Sequence, residues 1–267
     1  AVLIGFPATE TPHMADDPQL REMTCDPRYR KVLVTDGTSA TGQALVKACV
    51  EAGAEIVWVG RAEPWKTFPG FDAVTALPQV TAVPLDLTDG RSVTELAGQL
   101  GGKVDIVINN AEVHRAFGIQ GRRGTDAARA EMEINYFGTL AMTRAFAPIL
   151  GRNGGGTIVN VLSVAAVVPA AFMGGYSTSK AATWFLSAIT RAELADQGTQ
   201  VTSLVLGSVD TRMAAHVEGN KADPRDIVRV GLDGVEAGLL TVPTDKMAID
   251  SMAAHKADPE GFERLLG

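Results

Sequence analysis

The stretch YSTSK places the phenol of Tyr176 four residues before the ammonium of Lys180. On a helix such positions share a face, so the two groups can approach one another. A nearby cation favours the phenolate and lowers a tyrosine pKa from its usual value of about 10. A tyrosine tuned in this way can give or take a proton near neutral pH. The spacing alone is common in helices, and its weight comes from its surroundings. Ser163 closes the apolar run GTIVNVLS, and the carboxyl ends of parallel strands are where open α/β sheets bind ligands. Asn135 sits inside the helical pattern INYFGTLAMTRA, an interior position that disfavours asparagine and so points to a polar role. The run VDIVINNAE ends on two amides, Asn109 and Asn110. Near the start, VLVTDGTSATGQAL reads as a strand entering a helix through a turn that carries Gly37 and Gly42. Such turns often hold a dinucleotide's pyrophosphate.

The order and spacing of these stretches resemble the short-chain dehydrogenase/reductase family. The likeness rests on the turn at 35–42, LDLTD at 85–89, NNA at 109–111, Asn135, Ser163, Tyr176 with Lys180, and LGSVDT at 206–211. It covers about residues 31–245. It implies an oxidoreductase that moves a hydride between a nicotinamide dinucleotide and a carbonyl or alcohol. Tyr176 would protonate the carbonyl oxygen, or deprotonate the alcohol in reverse. Lys180 would hold the nicotinamide ribose and lower the Tyr176 pKa. Ser163 would bond the substrate oxygen, and Asn135 would organise a water linking Lys180 to solvent. The implied cofactor positions are Gly37, Ser39, Ala40, Thr41 and Gly42 in the turn, with Gly60 and Arg61 ending the second strand. Asp86 and Leu87 would meet the adenine. Asn110, Ala111, Gly207, Val209 and Thr211 would complete the site with Tyr176 and Lys180.

NAD-preferring members tend to place an acid at the end of the second strand, on the ribose 2′-hydroxyl. Here Gly60 leaves room for a 2′-phosphate and Arg61 can pair with it. NADP(H) is therefore the expected cofactor, with NAD(H) as the alternative. A solvent-facing arginine is the plainer reading of Arg61. The family's turn reads Thr-Gly-x-x-x-Gly-x-Gly; this chain keeps Thr35 and Gly42 but has Asp36 and Ala40 at the other two glycines. Glu112 replaces the glycine after NNA, and Leu206 the proline before Gly207. These departures cluster at the cofactor and put affinity in question more than chemistry. They also leave open a second function, a dinucleotide-binding regulatory protein of low turnover.

Phe172, Met173, Met213 and His216 fall in the two segments that border the substrate in this family, with Ser163 at its oxygen. They suggest a largely apolar, adaptable pocket; packing under a loop is the alternative for Phe172 and Met173. His114 either lines that cleft or is a plain loop residue. The four histidines show no metal-ligand spacing, so no metal is expected.

These side chains need a frame. The 267 residues are 46% hydrophobic and 21% charged, enough for one large core. A net charge of −7 argues against nucleic-acid or anionic-membrane partners. No apolar run approaches the roughly 20 residues that cross a bilayer. Cys25 and Cys49 form no disulfide framework, which fits a reducing cytoplasm. Short β-branched runs (KVLVT, EIVWVG, VTAVPL, VDIVIN, GTIVNV, QVTSLVL) alternate with amphipathic helical stretches. That alternation implies a doubly wound, mostly parallel sheet of about seven strands flanked by helices. Residues 31–267 are expected to form this single Rossmann-like domain, with 1–30 as a proline-bearing extension. By the resemblance, helices at 126–150 and 176–197 would build a homodimer or homotetramer through ATWFLSAITRA.

Overall fold

The computed structural model describes residues 26–266, apart from 116, 117, 122, 216 and 217. His216, Cys25 and most of the expected extension thus lie outside the described residues. Seven strands form one sheet: β1 (Lys31–Val34), β2 (Ile56–Arg61), β3 (Val80–Pro84), β4 (Ile106–Asn109), β5 (Gly156–Ser163), β6 (Thr199–Leu206) and β7 (Thr241–Pro243). Their order is β3-β2-β1-β4-β5-β6-β7, and each neighbouring pair is parallel. The chain winds outward from β1 in one direction and from β4 in the other. The switch point therefore lies between the carboxyl ends of β1 and β4, where such sheets open a crevice.

Both faces of the sheet are covered, so its central strands are buried along most of their length, polar residues included. All eight residues of β6 are buried. Side chains alternate across the pleat. Val32 and Val34 join Val57, Val59 and Ile108 in a core on one face, closed by α1 (Ala40–Glu51). Leu33, Trp58 and Val107 point the other way. They pack on Val93 and Leu96 of α3 (Gly90–Leu100), which follows the short α2 (Phe71–Thr75) in the chain. Cys49 of α1 is a free, buried thiol whose pKa burial pushes up to about 12.

The expected helix at 126–150 runs as α4 (Gly124–Glu131), a π-helical turn (Met132–Gly138) and α5 (Thr139–Arg152). Asn135 lies in that wider turn. Its carbonyl oxygen accepts hydrogen bonds from the hydroxyls of Thr139 and Thr183, at 2.9 Å each. Such turns loosen the ordinary ladder and often mark functional sites. The next long helix, α6 (Gly174–Glu193), follows β5, and α7 (Pro224–Glu236) follows β6. A C-terminal pair, α8 (Lys246–Ala257) and α9 (Pro259–Leu266), completes the chain. Among the described residues no helix is long and apolar enough to cross a membrane.

Candidate active site

The face of α6 turned to the protein carries Tyr176, Lys180, Thr183, Ser187 and Thr190, spaced at the helical period. Apart from the first two these are small and polar, so the helix sits close to the sheet through hydrogen bonds. Ser187 accepts from the amide of Asn160 at 2.8 Å, and Asn160 accepts from that of Asn109 at 2.8 Å. The helix is thereby registered against β5 and β4. Lys180 Nζ donates to the carbonyl of Val161 at 3.0 Å. Ser163, the last residue of β5, lies beside the phenol and caps the following turn by accepting from Ala165 N–H at 3.2 Å.

Glu112 enters this group from the segment after β4. Its Oε2 accepts from the Tyr176 hydroxyl at 2.9 Å and pairs with Lys180 Nζ at 2.6 Å. The expectation that Lys180 would lower the Tyr176 pKa is corrected by this contact. Burial, first, and then the charge and hydrogen bond of Glu112 hold the phenol well above its ordinary value. A hydrogen bond with Ser163 pulls the other way, and Glu131 adds a smaller upward push. Burial disfavours the charged phenolate, and a carboxylate in contact with both groups offsets the ammonium's pull. His114 lies against the Tyr176 ring, with centroids 4.8 Å apart. Asn135 clamps the backbone of Val113, accepting from its N–H at 2.8 Å and donating to its carbonyl at 3.0 Å. Its amide also donates to Ser179 Oγ at 2.9 Å. Asn135 thus fixes the segment that carries Glu112.

The turn after β1 is strutted by Asn110. The backbone N–H groups of Asn110 and Ala111 each reach Thr35 Oγ1 at 2.9 Å. The Asn110 side-chain amide donates to the carbonyls of Thr35 and Asp36 at 3.1 and 3.0 Å. Ser39 caps α1, accepting from Gly42 N–H at 3.1 Å. Asp36 adopts φ of 48°, the left-handed region that glycine enters more easily. Its carboxylate accepts from the Thr38 hydroxyl at 2.5 Å. Burial raises its pKa despite that bond, and the Glu112 charge adds to the rise.

Three adjoining cavities meet here. One of about 540 Å³ is lined by Ser39, Ala40, Thr41, Asn110 and Thr211. A second, of about 480 Å³, is lined by Arg61, Asp86, Leu87 and Ala111. Asp36, Ser39, Glu112, Arg115 and Arg212 border both. The third, of about 520 Å³, holds Ser163, Tyr176, Phe172, Met213, Gly207 and Val209. Gly37, Gly42 and Gly60 pack inward instead. A Cβ on Gly37 or Gly60 would collide with Val59 or Leu85. Lys66, Arg115, Arg212 and His114 also line these cavities. The sequence reading assigned the three cations no role and left His114 open, because loop residues carry no periodicity.

The first two cavities fit a dinucleotide. They offer a helix N-terminus, the hydroxyls of Thr38 and Ser39, and four cations, all suited to phosphates. Asp36 and Glu112 oppose this with like charge. The double change Asp36→Gly with Ala40→Gly is therefore expected to tighten dinucleotide binding roughly tenfold, equivalent to about 1.4 kcal/mol. Calorimetric titration checks it, and an unchanged or weaker affinity would mean that the turn has adapted to both residues.

The model of the family described as short chain dehydrogenase matches residues 30–222. A short chain dehydrogenase of Monascus purpureus is 30% identical over 228 residues, which is 82% of this chain and 78% of that protein. The rat dehydrogenase/reductase SDR family member 7B is 30% identical over 79% of this chain and 70% of its own length. A short chain dehydrogenase from Burkholderia cenocepacia, solved in complex with NADP, superposes with a TM-score of 0.83 at 33% identity. That alignment covers 90% of this chain and 98% of the other. With the Tyr176–Lys180 pair, Ser163 and the turn after β1 in one crevice, the chain belongs to the short-chain dehydrogenase/reductase family of dinucleotide-dependent oxidoreductases.

Proposed function

We propose that the chain interconverts a ketone or aldehyde and its alcohol with NADP(H), Tyr176 acting as general acid or base. The observation that carries this reading is the placement of the Tyr176 hydroxyl beside Ser163 in an apolar cavity that adjoins the dinucleotide cleft. The dinucleotide, when bound, supplies or accepts the hydride. Ser163 bonds the substrate oxygen and aims it at the phenol, which gives or takes the proton. Lys180, anchored on Val161 and paired with Glu112, offers its third donor to the nicotinamide ribose. Asn135 acts through the Val113 backbone and Ser179.

Preference for NADP(H) is supported by Arg61 and Lys66 beside Asp86 and Leu87, and by the NADP complex of the Burkholderia relative. Arg61 also lies 5.5 Å above the Phe71 ring, which holds the guanidinium at the cleft. We further read residues 31–267 as one Rossmann-like domain in a cytoplasmic homodimer or homotetramer. The apolar side chains of Phe185 and Ile189, exposed on α6, support an oligomer. Initial rates with NADPH and NADH over a panel of apolar ketones, aldehydes and alcohols test the reading. A kcat/KM for NADH equal to or above that for NADPH would overturn the preference. The second reading, a dinucleotide-binding protein of low turnover, is favoured by the hold of Glu112 on both catalytic side chains. Tight binding without oxidation across the panel would select it.

A further inference from the structure

Glu112 borders all three cavities, and the proposed reaction gives it no task. One of its oxygens takes the hydroxyl of Tyr176 and pairs with the ammonium of Lys180. The Lys180 side chain is 3% exposed and that of Glu112 27%. Tyr176 is buried as well. The contact therefore lies where water screens little, and the charge of a carboxylate counts for more than at a surface. It cancels the ammonium's attraction for a phenolate and repels the phenolate directly. A glycine at this position would do neither.

We propose that Glu112 is a positioning residue of the reaction: it ties Tyr176 to Lys180 and keeps the phenol proton in place until the substrate oxygen takes it. The proposal rests on Tyr176 being the acid of the reaction. Other groups face the phenol too. His114 lies against its ring, Ser163 approaches from the end of β5, and Glu131 acts from α4. Asp36, from the turn after β1, acts on Glu112 in turn. Glu131 is engaged elsewhere, its Oε1 accepting from Arg115 N–H at 2.7 Å. Glu112 is the carboxylate in contact with the phenol and the ammonium together.

Glu112→Gln keeps the size of the side chain and removes its charge, leaving Lys180 unopposed. Two measurements decide the matter. In the first, tyrosinate formation is followed by ultraviolet difference titration without any dinucleotide. Tyr176→Phe serves as the blank that separates Tyr176 from the other two tyrosines of the chain. The Tyr176 titration is expected to fall by at least about one pH unit, a tenfold rise in the ionisation constant. The second is the pH profile of kcat/KM for alcohol oxidation, which needs the phenolate; its ionisation should move the same way. Glu112→Gly, the residue of the family pattern, should shift both at least as far and covers the case in which the glutamine variant melts early. Folded variants with an unmoved titration would overturn the proposal. So would a moved titration with an unmoved profile, which would confine the contact to the free protein. If the wild-type chain turns over no substrate with either dinucleotide, the proposed function fails. The titration then still decides whether Glu112 holds the phenol proton.

Discussion

Tyr176→Phe is expected to lower turnover by about 10²–10⁴-fold, the usual worth of a positioned general acid or base. The change removes one oxygen and keeps the ring against His114. Glu112 loses a donor but keeps Lys180 at 2.6 Å, so its charge stays paired. The lost hydrogen bond, made to a charged acceptor, should cost stability by about 1.5–3 kcal/mol. The melting temperature should therefore fall by several degrees with the fold intact, since 1 kcal/mol moves a domain of this size by about 2–4 °C. Dinucleotide binding should survive, because the turn after β1 is untouched. Comparing kcat, thermal melts and calorimetric affinity separates these effects. Near-normal turnover in the folded variant would remove Tyr176 from the mechanism.

Gly42→Ala is expected to damage the other half of the site. A Cβ there would stand 2.2 Å from the Asp36 carbonyl oxygen, 2.8 Å from Gly37 Cα and 3.0 Å from the Asn110 amide nitrogen. Two of these are backbone atoms, so no rotamer change relieves the collision. The turn must open, and the Asn110 and Ser39 bonds that shape it must stretch. Overpacking of this kind costs about 1–3 kcal/mol. Dinucleotide affinity should fall at least about tenfold, because the α1 N-terminus moves with the turn. Gly90→Ala is the natural control, since a Cβ there meets nothing within 4 Å. If Gly42→Ala melted and bound like that control, the turn would be softer than its packing indicates.

Much of this was legible because it follows from local periodicity. The apolar β-branched runs became the strands of a sheet buried on both faces, and the alternation with helices set its parallel pairing. Tyr176, Lys180 and Ser163 were legible because a helix face and a strand end fix where their side chains go. Asn135 was recognised as anomalous, but the seven-residue π-helical turn around it was not. A period near 3.6 does not reveal an extra residue in one turn. Glu112 was legible only as a missing glycine. Its contact with Tyr176 spans 64 positions, and its reach depends on a segment placed by Asn135. The sign of the Tyr176 shift followed first from burial and then from that contact, so a rule about lysine near tyrosine was right in physics and wrong in outcome.

Asn109 and Asn110 stand side by side at the end of β4, yet they serve different assemblies. Asn109 begins a ladder of side-chain bonds through Asn160 to Ser187 that aligns α6. Asn110 braces the turn after β1 through Thr35, Asp36 and Ser39. The two networks diverge at one peptide link, and Glu112, two residues on, bridges them: it holds Tyr176 and Lys180 and shares two cavity walls with Asp36. A change that moved the end of β4 would therefore disturb the turn after β1 and the alignment of α6 together.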